Sequence, residues 1–251
     1  MTGARATGWR IWGRATACGA VSLLAAALLA GCAVETARLD YEAAQARRRG
    51  DLDTALRLYR TILAREPRNA AAHFSTAYVA NMRGDRRAAI RHYREALDGA
   101  LGDPVRMRRL TVLALNNLAF TLAQGWESLG EAEALARRAI ELDGERAGTL
   151  DTLGFVLFRQ GRALEARPLL ERSAALDPDD DATLERLADV CLALGDRPAA
   201  RRALAEALAT RPASEARTRQ LADRLRSLEE RDTTRALAGV PEPTPAGGGA
   251  R

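Results

Sequence analysis

The chain has 251 residues, 47% of them hydrophobic but only 4% aromatic, so alanine and leucine carry the apolar load. That composition excludes a disordered chain and points to closely packed helices. All 38 basic residues are arginine, the net charge is +5, and beyond residue 31 the balance falls to 35 basic against 33 acidic with the signs interspersed. This excludes the clustered basic footprint of a nucleic-acid binder.

In chain order, residues 1–31 come first. Arg5, Arg10 and Arg14 precede an uncharged run from Ala15 to Ala30, too short and alanine-rich for a membrane span. The run ends Leu29-Ala30-Gly31-Cys32, which resembles the lipobox of bacterial lipoproteins. The resemblance implies a signal peptide over 1–31, cleavage before Cys32, and a diacylglycerol on its thiol. Two or three acyl chains at about 0.8 kcal/mol per buried methylene make a stable anchor. Ala33 replaces the aspartate associated with inner-membrane retention, so the expected place is the outer membrane, facing the periplasm. Residues 32–38 are expected to be a short lipidated tether.

The body repeats. Gly50 and Gly84 are 34 residues apart, and so are Gly161 and Gly195, Ala55 and Ala89, Tyr59 and Tyr93, Ala166 and Ala200, and Pro178 and Pro212. A period of this length signals a stack of supersecondary units. Each unit reads as two helices. A glycine that tolerates the left-handed conformation ends the first, and a proline ends the second in most units. In the first unit the second helix carries Ala55, Tyr59, Ile62 and Leu63 on one face; in the fourth, Leu153-Gly154 lets the two helices approach. The third unit is irregular. Its turn, 125–130, is about one residue longer than its counterparts, and about eight residues around Leu101-Gly102-Asp103-Pro104 are inserted before its first helix. Asp103 as N-cap and Pro104 after it predict a helix start near Asp103. Leu221, Leu225 and Leu228 form one stripe within 214–232, predicting a helix that covers the last apolar face. Residues 233–251, rich in Pro and Gly, are expected to be a disordered tail.

This period and these residue types resemble the tetratricopeptide repeat (TPR), over about residues 36–214. The resemblance implies an all-α right-handed superhelix, an α-solenoid of about five helix-turn-helix repeats with a C-terminal capping helix. The repeat domain is expected over 39–232. It also implies a protein-binding groove lined by the first, or A, helix of each repeat. By register the groove candidates are Phe74, Tyr78 and Asn81 in the second repeat, and Asn116, Asn117 and Phe120 in the third. The fourth contributes Asp151, Phe155, Phe158 and Arg159, and the fifth Glu185 and Asp189. Aromatic pockets beside amides suit a peptide. The carboxylate clamp of chaperone-binding repeats is not matched. Asn117 fits its middle position, but Phe74 and Tyr78 stand upstream and Gly148 and Thr152 downstream.

Nothing in the sequence points to catalysis. There is no HExxH, GxSxG, P-loop or GxGxxG pattern, and Cys18, Cys32 and Cys191 have no metal-ligand spacing. His73 and His92, the only histidines, read as ordinary surface or packing residues, and Cys191 as a small core side chain. No cofactor, metal, nucleic acid or small-molecule substrate is expected. The expectation is a protein partner in the bacterial envelope, a membrane contact through the Cys32 lipid, and a role as scaffold or assembly factor for a pilus, secretion or outer-membrane assembly machine. The alternative is a regulator of a cell-wall or exopolysaccharide enzyme complex.

Overall fold

The computed structural model describes residues 33–100, 107–126 and 128–237, with side chains through residue 231. The signal segment, Cys32, the Asp103–Pro104 start and most of the tail lie outside the described residues. Those residues form eleven helices and no strand. They are α1 (33–48), α2 (Leu52–Arg65), α3 (Ala70–Met82), α4 (Arg86–Ala100), α5 (Arg108–Gly125), α6 (Leu129–Asp143), α7 (Ala147–Arg159), α8 (Ala163–Leu176), α9 (Asp181–Ala193), α10 (Arg197–Ala209) and α11 (Glu215–Leu237). Five pairs and a cap follow from this order, with the odd-numbered helices of the pairs as the A helices.

Four of the five A-to-B turns are built alike. Gly50, Gly84, Gly161 and Gly195 all have φ between 78° and 80°. Around Gly84 the glycine N–H donates to Asn81 O at 2.9 Å and the next N–H, of Asp85, donates to Ala80 O at 2.9 Å. These two bonds satisfy carbonyls the helix would otherwise leave open, and only glycine takes the left-handed position without a steric cost. In three of these turns the aspartate after the glycine then caps the B helix: Asp51 accepts from Thr54 N, Asp85 from Ala88 N and Asp196 from Ala199 N.

Small residues set the distance between paired helices. Ala55, Ala89, Ala132, Ala166 and Ala200 occupy one register position in the five B helices and are all fully buried. Ala89 to Ala132 is the one step that departs from 34, by nine residues, and it spans the insertion and the long turn. At Gly154 a Cβ would meet Leu170 Cγ at 2.8 Å and Ala166 O at 3.4 Å, so α7 and α8 touch where only glycine fits. The A helices α3, α5 and α7 each contact the next A helix, whereas most contacts of the B helices run to A helices. The A side is therefore the tighter, concave one.

Two details differ from the sequence reading. Residues 33–38 are already helical rather than a tether, because α1 starts at residue 33 and is held there by Arg65–Glu35 (2.9 Å) and by Thr36 donating to Glu66 (2.5 Å). The cap α11 runs to Leu237, five residues past the expected domain end. Within the described residues α5 runs from Arg108 behind Met107, with no side-chain cap, and the expected start at Asp103 lies outside them. The cap itself behaves as expected: Leu221 is fully buried, Leu228 nearly so, and Leu225 packs beside them against Leu204 and Cys191.

Candidate functional site

The concave face is best built from its N-terminal end. Tyr78 of α3 is 39% exposed, and the Arg47 guanidinium of α1 lies 5.1 Å from its ring centroid. Asn81 is half-buried one turn further on. Phe74, one turn earlier, turns inward instead. Its ring lies 5.8 Å from that of Tyr93 in its own B helix, and it packs into the main core. Phe74 is thus a packing residue, because α4 presents Tyr93 where the later repeats present Ala136, Leu170 and Leu204.

Repeats three and four form a continuous aromatic and arginine cluster. Phe120 of α5 and Phe155 of α7 have ring centroids 5.2 Å apart. Arg186 of α9 sits over both rings, at 5.3 and 5.6 Å, and its Nη1 donates to both oxygens of Asp151 at 2.7 and 2.8 Å. Asp151 is buried; desolvation pushes its carboxyl above the ordinary range, and the Arg186 charge opposes that rise. On the other side of Phe155, Arg159 stacks 3.6 Å from the Trp126 ring and 5.5 Å from Phe155. Trp126 itself is 66% exposed and holds a left-handed backbone at φ 59°. That position belongs to glycine in the other A-to-B turns, and a tryptophan there carries a backbone cost. Phe158 is half-buried and packs on the core.

Polar groups in this region are incompletely matched. Among the described residues, the buried side-chain polar atoms without a hydrogen-bond partner are Asn116 Oδ1, Arg159 Nε and the Tyr93 hydroxyl, all within repeats two to four. An unmatched buried polar atom costs about 1–3 kcal/mol. Asn117 lies close enough to Tyr93 to favour its ionised form slightly, but not in hydrogen-bonding geometry; burial dominates and pushes the phenol upward. Asn117 therefore faces the preceding repeat rather than the open groove.

The C-terminal end of the face is closed. Arg217 of α11 binds Asp181 at 2.5 Å and Glu185 at 2.6 Å, and Arg224 binds Glu185 and Asp189. Burial alone would raise Glu185, but the hydrogen bonds from the two arginines outweigh it and hold its carboxyl below the ordinary range. Glu185 and Asp189 are thus consumed in docking the cap. The accessible groove runs from α1 to α7.

Outside the groove, His73 and His92 form a packed pair with Nδ1 atoms 3.0 Å apart. The Pro67 carbonyl, 2.9 Å from His73 Nε2, can only accept. In neutral His73 the Nδ1 is then the acceptor, and His92 Nδ1–H is the donor. A depression of about 580 Å³ lies between α8, α9 and α10, with Glu171, Asp179 and Glu206 on its rim, but it holds none of the unmatched atoms. No group of three or more metal-ligating side chains is found among the described residues.

Sequence register found Tyr78, Asn116, Phe120, Phe155 and Arg159 but missed two partners. Arg47 stands 34 residues before Asn81, so the period itself marks it. Arg186 stands one position past the expected groove residue Glu185, and its signal was the opposite charge at Asp151, one helix pair earlier.

Two family profiles, each described as tetratricopeptide repeat, match residues 41–104 and 145–213, together more than half of the chain. The chain belongs to the tetratricopeptide-repeat family, whose folds serve protein–protein interaction. No curated protein matches it. Among solved structures it resembles a thermophilic TPR protein of Thermus thermophilus (20% identity, TM-score 0.60, 77% of this chain and 98% of that one). It also resembles PilF of Pseudomonas aeruginosa (24%, 0.60, 84% and 91%). A third is YrrB, a TPR protein with an unusual peptide-binding site (18%, 0.51, 75% and 90%). At these identities the likeness is one of fold.

Proposed function

We propose that this protein is a lipid-anchored scaffold or assembly factor of the bacterial envelope, non-catalytic, that holds a partner segment in the groove between α1 and α7. The observation that carries the reading is a mixed polar and aromatic face: Asn116 Oδ1 and Arg159 Nε have no hydrogen-bond partner among the described residues, and exposed Tyr78 and half-buried Phe120 and Phe155 line the same side. A peptide lying there would cover the rings and bond to the outer groups of the Asn116 amide and the Arg159 guanidinium. YrrB is described as having a peptide-binding site, which agrees with such use of the fold. The envelope address rests on the Leu29-Ala30-Gly31-Cys32 box. A pilus, secretion or outer-membrane assembly machine fits a scaffold at that address.

Two experiments test this reading. Mass spectrometry of the protein extracted from membranes should give an N-terminal peptide beginning at acylated Cys32; an intact Met1 terminus would remove the anchor. Tyr78→Ala combined with Asn116→Ala should abolish partner capture from detergent-solubilised envelopes with a melting temperature within a few degrees of wild type. Retained capture in the folded double variant would move the binding face elsewhere.

A further inference from the structure

Charge accounting along the groove goes further than shape. Arg186 is matched by Asp151, and Arg217 and Arg224 are matched by Asp181, Glu185 and Asp189. Arg47 and Arg159 are not matched in this way, and of the two Arg159 is the one held between aromatic rings with an enclosed, unpartnered Nε. No carboxylate among the described residues pairs with it; its guanidinium makes one long hydrogen bond, Nη2 to Gln124 O at 3.3 Å, and its Nε is buried without a partner. The charge that acts on it is the like charge of Arg86, which together with desolvation disfavours its protonated form. Stacking between Trp126 and Phe155 fixes the plane of the guanidinium and spares it conformational entropy on binding. One turn before Phe120 on α5, Asn116 is half-buried, its Oδ1 enclosed and its side-chain amide N–H left to donate to a main-chain carbonyl.

We propose that Arg159 is the recognition point for an Asp or Glu side chain on an extended partner segment, whose backbone carbonyl accepts from the Asn116 amide and whose neighbouring apolar side chain lies on Phe120 and Phe155. The inference rests on the groove reading above and adds the chemistry of the occupant. An acid within the segment, rather than a chain end, fits because the face continues past Arg159 in the direction of α3, where Tyr78 and Arg47 extend it. A partner carboxylate would supply the charge-assisted hydrogen bonds that no described carboxylate gives Arg159.

The test is a randomised peptide array with amidated C-termini, so that only side chains supply carboxylates, probed with the mature chain as wild type, Arg159→Gln and Arg159→Lys. Circular dichroism of each confirms folding. Wild type should select peptides with Asp or Glu next to a large apolar residue. Arg159→Gln should weaken those peptides by about tenfold or more, the scale of a charge-assisted hydrogen bond, and leave acid-free peptides unchanged. Arg159→Lys should keep the acid preference at reduced affinity. If the best peptides carry no acid, or if Arg159→Gln keeps the preference, the inference is overturned while the groove reading stands. If a parallel array with free C-termini binds only through its terminal carboxylate, the side-chain assignment is overturned. If no peptide is held in either array, both readings fall.

Discussion

Gly154 offers a direct probe of how tightly the helix pairs close. In Gly154→Ala the new methyl would lie 2.8 Å from Leu170 Cγ and 3.0 Å from its Cδ2. Leu170 is fully buried and part of the main core, so it has no open side to move toward. Overpacking of this kind costs about 1–3 kcal/mol. The alanine gains back about 0.8–1.0 kcal/mol of helix propensity. The net should be a loss of roughly 0–2 kcal/mol. Gly148, in the same helix, supplies the control, because a Cβ there meets nothing within 4 Å. Gly148→Ala should therefore be neutral to stabilising by up to about 1 kcal/mol. The informative quantity is the difference between the variants, about 1–3 kcal/mol, which cancels most of the propensity term. Urea titration followed by far-UV circular dichroism measures it, and thermal melts should show a gap of about 2–4 °C for each kcal/mol. If Gly154→Ala were as stable as Gly148→Ala, close approach would not be the reason for glycine at that position.

Two further outcomes follow from the described packing. Burial, aided by His73 and the nearby arginines, holds the His92 imidazolium below the ordinary histidine value of 6.5. The unfolded chain then binds more protons as the pH falls through that value, so stability is complete above it and declines on acidification below it. In denaturant titrations across this range, His92→Gln should flatten the decline; an unchanged slope would remove the pair from the account. Cys191 is almost wholly buried in the last core cluster, and burial pushes its thiol upward. It should resist alkylation until the protein unfolds, and Cys191→Ala should cost about 1–3 kcal/mol without altering partner binding; rapid labelling of the folded protein would contradict this.

The solenoid could be read from the sequence because its rules are local and repeated. The glycines at 50, 84, 161 and 195 take the same left-handed turn, and the buried alanines recur at one register position. The third repeat resisted because its turn lacks that glycine at the right place; Trp126 adopts the conformation instead. Boundaries resisted for a different reason. Residues 33–38 have no strong apolar pattern of their own, and their helix is fixed by the ion pair and hydrogen bond to α2. Within the groove, register placed the backbone positions correctly but could not orient every side chain. Phe74 packs inward on Tyr93, Asn117 faces the preceding repeat, and Glu185 and Asp189 are bound by the cap. Those outcomes depend on neighbours 19 to 39 residues away, beyond any single-helix pattern.

The central claim is that the concave face of α3, α5 and α7 is where the partner sits. Site-specific photo-crosslinking in living cells tests it most directly. A photoreactive residue in place of Met82, 51% exposed one turn beyond Tyr78, should give a discrete crosslinked partner band, and the same residue in place of Leu164, 63% exposed on α8, should give none. A partner band from position 164 with none from position 82 would contradict the account.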